Sequence, residues 1–254
     1  MRRILTIATL IQMALISSTF SQTKTVAHRG AWKNTGAPEN SIAALKEAIK
    51  LGCAGSEFDV HMSSDSVLFI NHDAVIQGLA IEKTSSHELS ALKLANGEAF
   101  PTLKDYLKAG IKQRKTRLVL EIKPSAISKE RGIALSHKVL EMVKSLKAEA
   151  KVDYISFDYE ICKELVKLAP KATVQYLNGD KSPAELKADG ITGFDYNLKV
   201  LKLHPEWIKE AKQEKLITNV WTVNDEASMD WLISESVDYI TTNEPEILLK
   251  KLKK

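Results

Sequence analysis

Glu57 and Asp59 stand two residues apart in Gly55-Ser56-Glu57-Phe58-Asp59-Val60-His61, a run that reads as a β-strand. Alternate strand residues share a face, so both carboxylates point the same way. On an outward face they would be two solvated acids. On an inward face two like charges are costly unless a cation lies between them. An inward pair is therefore half of a site for a hard metal ion. Arg117-Leu118-Val119-Leu120-Glu121-Ile122-Lys123-Pro124 repeats the spacing with Glu121 and Lys123. That second pair either adds a third carboxylate to the site or forms a core ion pair of its own.

Three carboxylates suit Ca²⁺ or Mg²⁺, which take oxygen ligands, whereas zinc more often draws histidine or cysteine. Other groups end apolar runs in the same way. Thr25-Val26-Ala27 hands over to His28-Arg29-Gly30, Val67-Leu68-Phe69-Ile70 to Asn71-His72-Asp73, and Thr218-Asn219-Val220 to Trp221. Arg29 offers a planar fork that fits phosphate. Two histidines can divide acid and base roles near neutral pH. Together these groups suit stabilisation of charge at a reacting phosphodiester. Trp221 fits core filling equally well. His87, His137 and His204 lack an accompanying pattern and read as surface or capping residues; His61 reads the same way, although it is in register with Glu57 and Asp59. Asp195 and Tyr196 end a further strand, a position from which they could line the pocket, and no role is assigned to them.

These groups need a scaffold that gathers strand ends. After Pro38-Glu39-Asn40-Ser41 the apolar residues from Ile42 to Leu51 recur at helical spacing, with Asn40 or Ser41 as cap and Gly52 as stop. The short link Ser63–Ser66 cannot hold a helical crossover, so Val67–Ile70 turns back on the second strand as a hairpin and carries His72 toward the carboxylates. A loop and helices near 86–94 and 102–113 lead to the strand at 117–124, which is nearly all apolar, as for a strand covered on both faces. Helices at 130–148, 159–168, 182–188, 205–214 and 226–234 then alternate with strands at 154–157, 173–177, 193–196, 218–223 and 238–242, and a last helix closes the chain. Eight strands with crossovers in this length predict an α/β fold, a (β/α)8 TIM barrel with a short hairpin insertion after strand 2. The alternative, a doubly wound open sheet, lacks a Gly-x-Gly-x-x-Gly run after its first strand. In a barrel, working residues cluster at the C-terminal ends of strands, where the groups above fall.

Composition is that of an ordinary globular chain of 254 residues, without repeats or low-complexity linkers. Arg2-Arg3, an apolar run from Ile4 to Ile16 and small residues up to Ser21 read as a secretory signal over 1–21, leaving 22–254 as one domain exported to the periplasm or beyond. The run is short for a membrane span, and no stable membrane anchor is expected. Loss of the two arginines takes the formal charge from +4 to +2. The lysine-rich C-terminus reads as solvated helix end, so no nucleic-acid partner is expected. Cys53 and Cys162 are too few for a disulfide framework and read as buried thiols.

The pieces Ala27-His28-Arg29-Gly30, Pro38-Glu39-Asn40-Ser41, Glu57-Phe58-Asp59-Val60, His72-Asp73, Pro101-Thr102-Leu103, Glu121-Ile122-Lys123 and Trp221-Thr222-Val223-Asn224 run in an order that resembles the glycerophosphodiester phosphodiesterase family, from residue 25 to about 245. The resemblance implies metal-dependent hydrolysis of small glycerophosphodiesters to glycerol 3-phosphate and an alcohol. It implies His28 and His72 as the acid–base pair, and Glu57, Asp59 and Glu121 as metal ligands. Arg29 and Lys123 would hold the phosphate, Glu39 would support the metal, and Trp221 would pack on the glycerol or alcohol. The chain departs from the family pattern after His72-Asp73, where it reads Ala74-Val75-Ile76-Gln77-Gly78 without the family's arginine. Asn243 stands where aspartate is common, and Ser66 where a turn glycine is usual. Cleavage of intact phospholipid or sphingolipid head groups, and non-catalytic binding of phosphodiesters, are the competing readings. Lipid docking needs an apolar rim, and residues 74–80 carry no aromatic cluster.

Overall fold

A computed structural model describes residues 22–253. The expected signal at 1–21 lies outside them. In chain order the elements are β1 Lys24–Ala27, α1 Ile42–Leu51, β2 Gly55–Met62, β3 Leu68–Ile70, β4 Val75–Ile76, β5 Leu79–Ala80, α2 Ser86–Ser90, α3 Leu103–Gly110, β6 Arg117–Ile122, α4 Lys129–Ser145, β7 Val152–Ser156, α5 Tyr159–Leu168, β8 Thr173–Tyr176, α6 Pro183–Ala188, β9 Gly193–Asn197, α7 Leu198–Leu203, α8 Glu206–Gln213, β10 Ile217–Trp221, α9 Glu226–Ser234, β11 Tyr239–Thr242 and α10 Pro245–Leu252. Eight strands run parallel in the order β1-β11-β10-β9-β8-β7-β6-β2, and β1 also pairs with β2. The sheet thus closes on itself and has no open edge, which is the TIM barrel the alternation predicts.

Strand alternation sorts the side chains into two cores. Phe58, Val60, Leu118, Leu120, Tyr154, Val174, Phe194, Val220 and Ile240 face outward and bury against the helices. Each such side chain contributes about 1.5–3 kcal/mol of burial. Val26, Val119, Ile155 and Leu177 fill the barrel itself, with Phe157, Trp221 and Tyr239 packed on them. The Arg117–Asp153 ion pair lies one inward layer below Val119 and Ile155.

β3 lies antiparallel on the outside of β2, with His61 opposite Phe69, and this returns the chain to the C-terminal face as expected. The following loop holds a small hairpin that the sequence reading left as coil. Gln77 and Gly78 both have positive φ, 48° and 83°, between β4 and β5. That is the two-residue turn matched to strand twist, but glutamine is not one of the residues that announce it. Ser66 adopts φ 71° where glycine would be unstrained. Most of the helices start on side-chain caps, among them Ser41 for α1, Asp158 for α5 and a capping box at Ser85–Glu88 for α2. α2 is shorter than the expected 86–94, and α7 lies between the expected strand at 193–196 and helix at 205–214, in a stretch for which the sequence predicts neither.

Candidate active site

Three strand ends assemble the acidic cluster. Glu57 and Asp59 project inward from β2, and Glu121 from β6, where Asp59 and Glu121 are register partners. One oxygen of each lies within 4.8 Å of the others, and all three are buried. Burial drives Glu57 well above the usual carboxylate range, and the neighbouring Asp59 and Glu121 add to this. Glu121 rises to about 8 through burial and the Asp59 charge. Burial opposes ionisation of Asp59 too, but Lys123 outweighs it and holds Asp59 at about 2.

Lys123 Nζ lies 2.7 Å from Asp59 Oδ1 and 2.8 Å from Glu121 Oε1. The lysine is thus tied into the carboxylates as well as lining the pocket, and the core ion pair and the three-carboxylate cluster are one arrangement. A single ammonium cannot neutralise three acids. Glu57 Oε1 is buried without a hydrogen-bond partner among the described residues. An all-oxygen donor set with an unsatisfied buried oxygen, and two carboxyls whose ionisation burial opposes, fits a hard divalent cation.

The loop after β1 locks onto this cluster. Arg29 and Gly30 take successive left-handed conformations, φ 55° and 78°. At Gly30 a Cβ would come within 2.7 Å of the Ala44 Cβ, so only glycine lets the turn lie on α1. The turn aims the Arg29 backbone N–H at Glu57 Oε2, 2.7 Å away. Arg29 Nη1 donates to both oxygens of Glu39 at 3.0 Å, while its Nε is buried with no hydrogen-bond partner among the described residues. Glu39 pairs with the arginine and stands outside the carboxylate cluster.

Both expected histidines reach the pocket. His28 Nδ1 bonds Asn243 Oδ1 at 2.8 Å, and its Nε2 is 4.0 Å from Glu57 Oε2. An amide oxygen only accepts, so Nδ1 carries the hydrogen and Nε2 the lone pair. Burial, with the Arg29 cation beside it, lowers His28 to about 4. His72 Nδ1 bonds Asp73 Oδ1 at 2.7 Å, so Nε2 is the ring nitrogen that this carboxylate does not engage. The two histidines line one pocket with Arg29, Glu57, Glu121, Lys123 and Trp221.

Three residues do more than the sequence reading gave them. His61 is not a surface residue: it is 6% exposed, and its Nε2 bonds the His72 carbonyl at 3.3 Å. Its register with Glu57 and Asp59 was the available signal. Asn40 leaves helix capping to Ser41 and instead holds Asp59. Asp195 lines the pocket, whereas Tyr196 faces the outer core. Among the remaining histidines, His137 pairs with Glu164 and His204 stacks on Trp207, both on the surface. Trp221 stands edge-on to Phe157 and donates from Nε1 to the Asp195 carbonyl at 2.8 Å. Cys53 and Cys162 are free and buried, as expected. No helix of the described residues is long and apolar enough to cross a membrane.

Known proteins are similar to this chain over nearly its whole length. The profile of the glycerophosphoryl diester phosphodiesterase family matches residues 28–247. A crystal structure of a glycerophosphodiester phosphodiesterase from Parabacteroides distasonis is 46% identical, with a TM-score of 0.89 over 92% of this chain and 98% of that one. A glycerophosphodiester phosphodiesterase of Caldanaerobacter subterraneus is 29% identical over 92% of this chain and 99% of its own length. A phosphodiesterase of Oleispira antarctica, solved in complex with the product sn-glycerol-3-phosphate, shares the fold at 23% identity and a TM-score of 0.77, over 92% of this chain and 98% of its own. The barrel and a match spanning every strand end described above place the chain in one family: it belongs to the glycerophosphoryl diester phosphodiesterases.

Proposed function

We propose that His28 and His72 are the acid–base pair with which this phosphoric diester hydrolase cleaves glycerophosphodiesters to glycerol 3-phosphate and a free alcohol, at a divalent cation held by Glu57, Asp59 and Glu121. The reaction class follows from family membership. The assignment of roles rests on one observation: two histidines, each with Nδ1 tied to an oxygen acceptor, line the same pocket as the buried carboxylates.

When bound, the cation, Ca²⁺ or Mg²⁺, would supply charge stabilisation for the phosphate oxygens. Arg29 lines the same pocket, and its Nε, without a partner among the described residues, would add a hydrogen bond to that group. Lys123 keeps Asp59 ionised and adds positive charge at the pocket wall. His28, held neutral by its burial, takes a proton on Nε2 from the attacking oxygen, which belongs to water or to the neighbouring glycerol hydroxyl; in the second case a cyclic phosphate forms first and water then opens it to glycerol 3-phosphate. As the phosphorus–oxygen bond to the alcohol breaks, His72 gives its proton to the leaving oxygen, and the Asp73 carboxylate stabilises the imidazolium that carries it. Trp221 and Phe157 offer an apolar wall to the carbon skeleton. The sn-glycerol-3-phosphate bound by the Oleispira antarctica enzyme supports glycerol 3-phosphate as the product here.

Incubation with glycerophosphocholine and glycerophosphoethanolamine tests this reading. Glycerol 3-phosphate with free choline or ethanolamine is the expected outcome. Release of phosphocholine, or turnover of intact phosphatidylcholine alone, contradicts it. Export belongs to the same proposal and rests on the basic, apolar and small-residue pattern of residues 1–21. Mature protein that begins at Gln22 by N-terminal sequencing supports export, and an intact Met1 in all fractions contradicts it.

A further inference from the structure

The pocket has two halves that come from different strands. β1, β2, β3 and β6, with the loops that follow them, supply His28, Arg29, Glu57, His72, Glu121 and Lys123. β7, β8 and β10, with the residues that continue them, supply Ile155, Phe157, Leu177 and Trp221, which are all apolar faces. Asp195, on β9 between β8 and β10, is the one ionisable lining residue of that second half among the described residues.

Its surroundings leave it without a partner. Asp195 is 1% exposed, and its Oδ1 is buried with no hydrogen bond among the described residues. Burial alone drives its carboxyl well above the usual range, so it is held toward the neutral form. An unpaired buried carboxyl is costly, and it is tolerated where a ligand completes it. Depth is fixed by the strand register. Trp221 pairs with Asn197, and Asp195 pairs with Asn219, so Asp195 lies one inward layer below the indole. The indole is anchored above it through the Asp195 carbonyl.

We propose that Asp195 is a specificity-determining residue that binds the terminal hydroxyl of the substrate's glycerol. The proposal rests on the glycerophosphodiester reading above. The phosphate belongs to the charged half. A glycerol arm laid against Trp221 and Phe157 presents its C–H faces to the rings, and the hydroxyl farthest from phosphorus reaches deepest. A hydroxyl both donates and accepts, so it satisfies a neutral carboxyl in both directions. A trimethylammonium group has no acceptor for the carboxyl proton, and an alkyl end leaves the carboxyl unpaired.

The test compares kcat/KM for sn-glycero-3-phosphocholine and for propane-1,2-diol 1-phosphocholine. The analogue keeps the hydroxyl next to the phosphoester and lacks only the terminal one. The wild-type protein is expected to favour the glycerol diester by about tenfold or more, the discrimination typical of a site that would otherwise keep a buried polar group unpaired. Asp195→Ala and Asp195→Leu remove the carboxyl, one leaving space and one filling it, and thermal melting identifies which retains the fold. In that protein the ratio falls to about one, mostly through a rise in KM for the glycerol diester. Asp195→Asn, which keeps a hydrogen-bonding group of similar shape, retains an intermediate ratio. A wild-type ratio in a folded Ala or Leu variant overturns the role of Asp195 and leaves the hydrolase reading standing. A wild-type protein that turns over neither diester overturns that reading, and this proposal with it.

Discussion

Asn40 grips Asp59 at two points: its Nδ2 donates to Asp59 Oδ2 at 2.7 Å, and its Oδ1 accepts from the Asp59 backbone N–H at 3.1 Å. Asn40 is buried and takes a left-handed φ of 58°, which asparagine tolerates better than most residues. The side chain fixes the carboxylate before any cation arrives. Asn40→Ala strands the buried N–H and loosens the ligand. It is expected to cost about 1–3 kcal/mol of stability and to weaken Ca²⁺ or Mg²⁺ binding about tenfold to a hundredfold. Denaturant unfolding and titration calorimetry check the two effects, and unaltered cation affinity in the variant contradicts a supporting role for Asn40.

Lys123 stands in for part of the missing positive charge. Lys123→Met leaves Asp59 and Glu121 without it and is expected to destabilise the chelated protein by about 3–5 kcal/mol, as when one member of a buried ion pair is removed. Divalent cation should then raise the melting temperature of the variant more than that of the wild type. An unchanged melting temperature in chelator removes Lys123 as the compensating charge.

The raised carboxylates couple stability to pH. In chelator, burial favours the protonated forms of Glu57 and Glu121 in the folded protein, whose pKa values lie above the ordinary range, about 8 for Glu121. The unfolded chain has lost those protons above about pH 5. The folded state therefore binds more protons, and its stability falls as pH rises. His28 has the opposite slope, but its contribution is confined below about pH 6.5, because its folded value is about 4. Between about pH 6.5 and 8 the melting temperature in chelator should decline. Ca²⁺ or Mg²⁺, which favours the ionised acids, should stabilise more at the upper end. Cation stabilisation that is flat across this range argues against proton release on binding.

His72 can be tested without risk to the fold. Its side chain is 34% exposed and belongs to a loop beyond β3. His72→Ala should leave the melting temperature within a degree or two while lowering kcat at least about a hundredfold, the usual contribution of a general acid or base. His28→Ala should give a comparable loss in kcat. Near-normal turnover in either variant sinks the pairing.

Much of this site was legible because barrel geometry converts sequence spacing into position. Glu57, Asp59 and Glu121 needed only strand alternation and one register match to meet. The hairpin that returns His72 followed from a link too short for a helix. Contacts that depend on loop conformation were harder to read. Nothing in Pro38-Glu39-Asn40-Ser41 distinguishes a cap from a grip on Asp59, since both use the same side-chain chemistry, and the left-handed turn at Asn40 decides it. The Arg29–Glu39 pairing likewise depends on the turn at Arg29 and Gly30. The β4–β5 hairpin escaped because Gln77 occupies a conformation that sequence reading reserves for asparagine, aspartate or glycine. Asp195 could be read only as a strand-end residue facing the pocket, because a single acid on one strand has no spacing partner; burial without a hydrogen-bond partner among the described residues marks it further.

Dependence of turnover on a cation at Glu57, Asp59 and Glu121 is the centre of this account, and one experiment addresses it most directly. Glycerol 3-phosphate release from glycerophosphocholine is measured for wild type and Glu57→Gln, after exhaustive chelation and again after addition of Ca²⁺ or Mg²⁺, with metal content determined in parallel. Wild type should lose turnover on chelation and regain it on addition, while Glu57→Gln binds the cation weakly and stays slow. Full wild-type turnover in protein stripped of metal contradicts the account.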